Sequence, residues 1–264
     1  MIGAIKKLLA HPATRDLSID DPRTTERRRE IIQSNRFLRR IYDEWYRLIA
    51  ARIPDGRGGV LELGHGSGFL EQYIPRLITS EVFACRGVDL VLDGRSLPFA
   101  TASLKALVMV NVLHHVPGVR EFLGEARRCL RPGGSIVMIE PWVSTWARAI
   151  YPRLHHEWFH PEAADWSFPA AGPLSGANGA LPWIIFVSQR RVFESEFPEF
   201  GIETVRPFMP FRYLVSGGVS LRPLMPSATF PVWRAIDGVF SRWPNRWSMF
   251  ALLHLRRRSC HTFT

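Results

Sequence analysis

Val60-Leu-Glu-Leu-Gly-His-Gly-Ser-Gly68 is an apolar run that feeds straight into three glycines at alternate positions. The run reads as a short strand and the glycines as a sharp turn that lets a ligand approach the backbone closely. Phe69 to Leu77 is expected to follow as a helix, whose start would offer free N–H groups and partial positive charge to an anionic group. Gly-x-Gly alone arises in many tight turns, so its neighbours decide what it is. A dinucleotide fingerprint needs a glycine or alanine at the sixth position, where this chain has Phe69. That substitution argues against an NAD-dependent oxidoreductase. A P-loop needs Gly-Lys-Ser/Thr, which does not follow. A nucleophile elbow needs glycines two residues either side of a serine, and Ser67 has His65 and Phe69 there.

Working outward, Arg23 to Ala51 reads as one amphipathic helix, with Ile31, Ile32, Phe37, Leu38, Ile41, Trp45, Leu48 and Ile49 at three- and four-residue spacings. Pro54 to Gly59 breaks it. Downstream, Ile78–Phe83, Val88–Leu92, Ala106–Leu113 and Ser135–Ile139 read as strands. Val119–Leu130 reads as a helix and Arg131-Pro-Gly-Gly134 as a sharp stop. Strands alternating with helices imply a mostly parallel sheet covered on both faces. Trp142 to about Gln189 and Gly217 to Asn245 lack periodicity, are rich in Pro and aromatic residues, and read as insertions. Arg190–Phe197 reads as a helix, Ile202–Leu214 contains a strand, and Ser248–Leu255 reads as the last strand.

The loop resembles motif I of the class I S-adenosylmethionine-dependent methyltransferases, and three later segments extend the resemblance. Asp93-Gly-Arg-Ser-Leu-Pro-Phe99 is similar to the segment after that family's third strand. Asn111-Val-Leu-His-His-Val-Pro117 is similar to its fourth-strand exit. Leu130-Arg-Pro-Gly-Gly-Ser-Ile-Val-Met-Ile-Glu-Pro141 is similar to its L-x-P-G-G turn and fifth strand. The likeness covers about Val60 to Pro141 and is nearest the small-molecule, type 11 subgroup. It implies an α/β Rossmann-like fold: a mostly parallel seven-stranded sheet with helices on both faces and an antiparallel last strand. The expected organisation is an N-terminal helical lid over 1–57 and a methyltransferase domain over 58–264, with its core at 60–141.

The resemblance also implies roles. Gly64, Gly66 and Gly68 would pass against the methionine part of S-adenosylmethionine, with Glu62 supporting the loop. Asp93 would accept from the adenine amino group, with Gly94 close by. Asn111 and Leu113 would lie under the methionine part. The family's ribose-gripping acid has two candidates, Glu81 and Asp89. Asp89 stands only four residues before Asp93, too close for a separate strand end. Glu81 is therefore the expected ribose ligand, because a carboxylate accepts from both hydroxyls at once.

Methyl transfer requires an aligned nucleophile, exclusion of water, and for some acceptors a general base, for which histidine is suited. His115 and His156 are the candidate bases; His155, Ser175, Asn178 and Tyr42 are candidate acceptor contacts. His156-Glu157-Trp158-Phe159-His160 also matches the zinc-protease pattern H-E-x-x-H. Pro161 disfavours helix at His160, so no metal is expected.

The chain has 264 residues and net charge +10, which favours acidic partners. Arg27-Arg28-Arg29, Arg39-Arg40 and Arg256-Arg257-Arg258 read first as solvated faces. With no RNA-binding signature, nucleic acid is not expected. Three cysteines with no CxxC pair suit a reducing, cytoplasmic setting. The apolar positions between Phe230 and Trp243, with Arg234 and Arg242, allow peripheral contact with an anionic membrane. The expected function is methyl transfer to a small or lipid-linked acceptor, at oxygen or nitrogen. The alternative is a non-catalytic S-adenosylmethionine-binding regulator or partner subunit.

Overall fold

The glycine loop leaves the middle of a sheet whose seven strands are β1 (Gly59–Leu63), β2 (Leu77–Glu81), β3 (Leu90–Val91), β4 (Leu104–Val110), β5 (Leu130–Pro141), β6 (Phe200–Phe208) and β7 (Phe250–Arg257). Their order is β3-β2-β1-β4-β5-β7-β6. The computed structural model describes residues 8–155, 157–168, 172 and 174–259. β1 to β5 pair in parallel, and β7 runs antiparallel between β5 and β6. This is the expected α/β arrangement with its antiparallel last strand. The order reverses between β1 and β4, and open parallel sheets bind ligands at such a switch point, beyond the strand C-termini.

Both faces of the sheet are covered, as runs such as Leu104-Lys-Ala-Leu-Val-Met-Val110 require. One apolar cluster joins Leu61, Leu107 and Met138 to Phe122 and Leu123 of α3 (Val119–Cys129). The other joins Val60, Val108 and Ile139 to Phe37, Leu38 and Trp45. Those last three belong to α2 (Arg36–Ala50), whose apolar stripe is therefore part of the domain core.

The single helix expected over Arg23–Ala51 is two: α1 (Pro22–Ser34) and α2, broken at Asn35. Asn35 is extended, and its Oδ1 accepts from the N–H groups of Phe37 and Leu38, both at 3.1 Å. Its Nδ2 donates to the Ser216 carbonyl at 2.9 Å. The asparagine caps the new helix, which the apolar periodicity alone does not reveal.

The helix expected over Phe69–Leu77 is absent; only a 3-10 turn, Leu70–Gln72, follows the loop. Pro75 explains this, since it disfavours helix at Ile74 and cannot donate an N–H. Arg76 then turns with φ 57° before β2 begins. The helix before Arg131–Gly134 stops at Cys129, as expected, but the segment itself lies within β5. The register slips there, from Leu104 opposite Leu130 to Ala106 opposite Ser135.

The first insertion contains α4 (Thr145–Leu154) and a turn at Leu181–Trp183 that widens into a π-helical segment, Ile184–Ser188. Ile184, Ile185 and Phe186 are fully buried, so this end of the insertion is core. α5 (Arg190–Glu196) leads into β6. The second insertion follows α6 (Arg212–Ser216) and contains α7 (Phe230–Phe240). Arg212 bonds Asp237 of α7 and Glu44 of α2, each at 2.7 Å. Cys85 and Cys129 are free thiols; Cys260 lies outside the described residues. Among the described residues no helix is long and apolar enough to cross a membrane.

Candidate active site

Parallel pairing of β1 with β2 and β4 brings three strand ends to one edge. Glu62 stands opposite both Thr79 and Val108. One step further, that edge carries Gly64 after β1, Glu81 closing β2, and Asn111 after β4. A cavity of about 730 Å³ opens there, and all three line it. Gly66, Gly68, Asp93, Gly94 and Tyr42 line it too, so these sequence-selected residues are brought together.

The loop is held by side chains in place of the missing helix. His65 Nδ1 lies 2.7 Å from Glu62 Oε2, with both residues buried. Burial pushes the Glu62 carboxyl up; at His65 burial works downward, but Glu62 outweighs it and raises the imidazole. The Phe69 N–H donates to the Tyr46 hydroxyl at 3.3 Å. Arg29 donates to the Gly66 carbonyl at 3.1 Å. Gly64 has φ +64°, and a Cβ there would come within 2.4 Å of Val112 Cγ2. The first glycine is therefore required twice, by conformation and by space.

Glu81 is buried, and burial pushes its carboxyl up; the Val82 and Gly66 N–H groups pull it down only partly. Hydroxyl donors entering the cavity would relieve that desolvated carboxylate. Asp89 is engaged elsewhere. It accepts from the Thr79 N–H at 2.8 Å and hydroxyl at 2.9 Å, tying β2 to the segment before β3. Asp93 is held by Arg95, at 2.6 Å, which lowers its carboxyl. Asn111 adopts φ 57°, and its Oδ1 is buried with no hydrogen-bond partner among the described residues. An orphaned buried acceptor costs roughly 1–3 kcal/mol, so a donor from a bound group would satisfy it. The loop glycines, Glu81 and the Asn111 acceptor thus fit an amino-acid and ribose-bearing cofactor.

A second, smaller cavity of about 130 Å³ adjoins the first and shares Arg28, Asn111, His115, Tyr213 and Val219 with it. Its walls include Tyr151, Leu154, Leu214 and Phe250, with His114, His155 and Glu157 as polar lining. His114 Nδ1 lies 2.6 Å from Glu140 Oε2 and its Nε2 3.3 Å from Glu157 Oε2. Burial works against the His114 imidazolium, but the two carboxylates prevail and its pKa is raised to about 9. His115 Nε2 lies 3.5 Å from Glu157 Oε1.

Four expectations need correction. Leu113 is fully buried and does not line the cavity; its N–H donates to Glu140 at 2.8 Å. Ser175 is exposed, its N–H held by Asp20, and it lines neither cavity. Asn178 is buried and braces the insertion: its amide bonds the His160 N–H and carbonyl at 3.0 and 3.1 Å. With the Ala180 N–H also on its oxygen, it lines neither cavity. The arginine clusters are not all solvated faces, because Arg28 lines both cavities, its buried Nε without a hydrogen-bond partner among the described residues, and Arg29 clamps the loop. His155 does line the smaller cavity, whereas His156 lies outside the described residues. Helix α4 ends at Leu154, and His160 is exposed on irregular backbone. The H-E-x-x-H pattern therefore does not present its described residues on one helical face.

Sequence reasoning missed Arg28, Tyr46, Tyr213 and Glu140. Only Glu140 carried a signal: a carboxylate at the end of an otherwise apolar strand.

A family model described as a methyltransferase domain matches residues 61–138. A polyketide synthase-nonribosomal peptide synthetase, TwmB of Talaromyces wortmannii, is 31% identical over 102 residues, 38% of this chain and 3% of that protein. The ubiquinone/menaquinone biosynthesis C-methyltransferase UbiE of Desulfotalea psychrophila is 30% identical over 115 residues, 36% of this chain and 47% of that protein. The chain thus spans less than half the length of either relative. Among solved structures, geranyl diphosphate C-methyltransferase from Streptomyces coelicolor A3(2), with Mg2+, geranyl diphosphate and S-adenosyl-L-homocysteine, superposes with TM-score 0.50. It is 13% identical over 97% of this chain and 98% of that one, a likeness of fold.

Proposed function

We propose that this chain, whose residues 61–138 match a methyltransferase domain model, moves a methyl group from S-adenosylmethionine to a small or lipid-linked acceptor at oxygen or nitrogen. The observation that carries the reading is the meeting of the glycine loop, Glu81 and Asn111 on one cavity, with a polar cluster at its junction with a second. When bound, the cofactor supplies an electrophilic methyl group on a sulfonium. Gly64, Gly66, Gly68 and Asn111 would take its amino-acid end, Glu81 its ribose hydroxyls, and Asp93 with Gly94 its adenine.

The smaller cavity would take the acceptor. Its apolar walls exclude water, and Arg28 and Tyr213 offer polar contacts where the two cavities meet. His115 faces both cavities and would take the acceptor's proton, with Glu157 steadying the charge that develops. His156 keeps its place as a candidate base from sequence alone. α1, which contributes Thr25 and Arg28 to the cavity lining, would act as the lid.

A second reading, transfer to carbon, is favoured by the relative named as a C-methyltransferase. Loss of a proton from a phenol or enol enriches both its oxygen and the adjacent carbon. Incubating the protein with labelled S-adenosylmethionine and cell extract, then identifying the labelled product, tests both readings. Cofactor binding without transfer to any acceptor would favour a regulatory binder; no binding at all would overturn the proposal.

The chain's setting is proposed to be cytoplasmic and peripheral to membrane. Val232, Val239 and Trp243 are exposed alongside Arg234 and Arg242, a combination suited to an anionic lipid surface.

A further inference from the structure

The cluster at the junction has a geometry that acid–base chemistry does not require. Leu113–His115 is a 3-10 turn, which sets successive side chains about 120° apart. Its two imidazoles nevertheless converge, with ring centroids 4.3 Å apart. Each has its Nδ1 tied outward: His114 to the fully buried Glu140 carboxylate at 2.6 Å, His115 to the Gly176 carbonyl at 3.1 Å. Donation from Nδ1 leaves the Nε2 lone pair of a neutral imidazole pointing the other way. Both Nε2 atoms point at one carboxylate, Glu157, at 3.3 and 3.5 Å.

In the neutral rings those lone pairs would face carboxylate oxygens, a repulsion that a cation between them relieves, either a proton on each ring or one shared metal ion. Charge-assisted N–H···O bonds are typically about 2.7–2.9 Å long, shorter than either separation. Ligand atoms about 2.0–2.2 Å from a tetrahedral metal lie roughly 3.3–3.5 Å from one another. One ligand atom from each of His114, His115 and Glu157 can be chosen so that all lie within 4.8 Å of one another. The outward bonds to a carboxylate and a carbonyl are those that fix metal-binding histidines in the required tautomer. His155 approaches the same glutamate: its Nδ1 accepts from the Glu157 N–H at 3.4 Å and lies 3.5 Å from Oε2.

We propose that His114, His115 and Glu157 bind one divalent transition-metal ion of the zinc type. Two imidazoles and a carboxylate suit zinc, and three protein ligands leave a position open for a water or an oxygen of a small molecule. That position would face the smaller cavity, which all three residues line. With the metal bound, His115 would serve as a ligand in place of the base role proposed for it, and the metal would hold and acidify an acceptor hydroxyl. The ligands are not those of H-E-x-x-H: the motif contributes only its glutamate, and the histidines come from the β4 exit.

The site stands independently of the methyl-transfer reading and is tested without cofactor or acceptor. The full chain is stripped with chelator, dialysed, and titrated with Zn2+ by calorimetry and with Co2+ by visible absorption. One zinc per chain is expected, together with the intense d–d bands of low-coordinate cobalt. H115Q and E157Q are expected to abolish both signals, and E140Q to weaken zinc binding about 10–100-fold through loss of the outer bond. Circular dichroism and melting of each metal-free variant separate a lost ligand from a lost fold, and H115Q serves if E140Q unfolds. Sub-stoichiometric zinc on the wild-type chain, or full binding by folded H115Q and E157Q, overturns the site. If S-adenosylmethionine fails to bind while zinc does, the methyl-transfer reading falls and the metal site stands.

Discussion

Replacing Gly64 by alanine tests the loop on which the site is built. An L-residue at φ +64° costs about 1–2 kcal/mol for left-handed backbone. The new Cβ would lie 2.4 Å from Val112 Cγ2, an overpacking that adds about 1–3 kcal/mol. The expected total, roughly 2–5 kcal/mol, appears as lost stability if the loop keeps its shape. It appears as lost cofactor affinity, about tenfold for each 1.4 kcal/mol, if the loop moves away. Urea unfolding of the free protein and calorimetric titration with S-adenosylmethionine together capture both. The Gly64→Ala/Val112→Ala double variant removes the clash but keeps the backbone strain, so about 1–3 kcal/mol should return. A Gly64→Ala protein within about 0.5 kcal/mol of wild type and with unchanged affinity would refute the reasoning. A double variant with no recovery would refute the clash.

Glu81→Gln should weaken S-adenosylmethionine about 10–100-fold, the loss of charge-assisted bonds worth about 1.5–3 kcal/mol, and undiminished affinity in calorimetry would remove Glu81 as the ribose ligand. Asp237→Ala leaves the buried Arg212 guanidinium with Glu44 as its one carboxylate partner among the described residues, so unfolding free energy should fall by about 3–5 kcal/mol; a fall below about 1 kcal/mol in urea titration would show that α7 is not anchored there. The Arg128 guanidinium, with help from the Leu97 N–H, holds the Glu125 carboxyl down to about 2. Its contribution is present above the unfolded value near 4.5 and is lost as pH falls through about 2, worth about 1 kcal/mol after its partial exposure is allowed for. Melting curves of wild type and Glu125→Gln should therefore converge between pH 4.5 and 2; a constant gap would contradict the pairing. In flotation, the protein should rise with anionic vesicles, and Trp243→Ser with Val239→Ser should reduce the floated fraction. No flotation of wild type removes the membrane proposal.

The sheet and one wall of the cavity are legible in the residues alone. Strand runs such as Ala106–Val110 are apolar because both faces of the sheet are covered. The glycine turn is written in adjacent residues, whereas Glu81 and Asp93 are singled out by the resemblance of the segments that carry them. Glu81 is separable from Asp89 by spacing, and the structure gives Asp89 a bond to Thr79 that accounts for it.

Long-range packing settled what depends on partners distant in the chain. Pro75 cancels the helix after the loop, so Glu62, His65, Tyr46 and Arg29 hold a turn that a helix was expected to support. Asn35 splits the N-terminal helix because its amide finds Ser216, 181 residues away. Asn178 and Ser175 looked equally suited to substrate in a polar loop; burial made one a brace, and exposure put the other outside both cavities. The cluster of His114, His115, Glu140 and Glu157 joins the β4 exit, the end of β5 and the first insertion. No spacing rule predicts that meeting, because pairing of β4 with β5 and the path of an irregular segment bring those groups to one point.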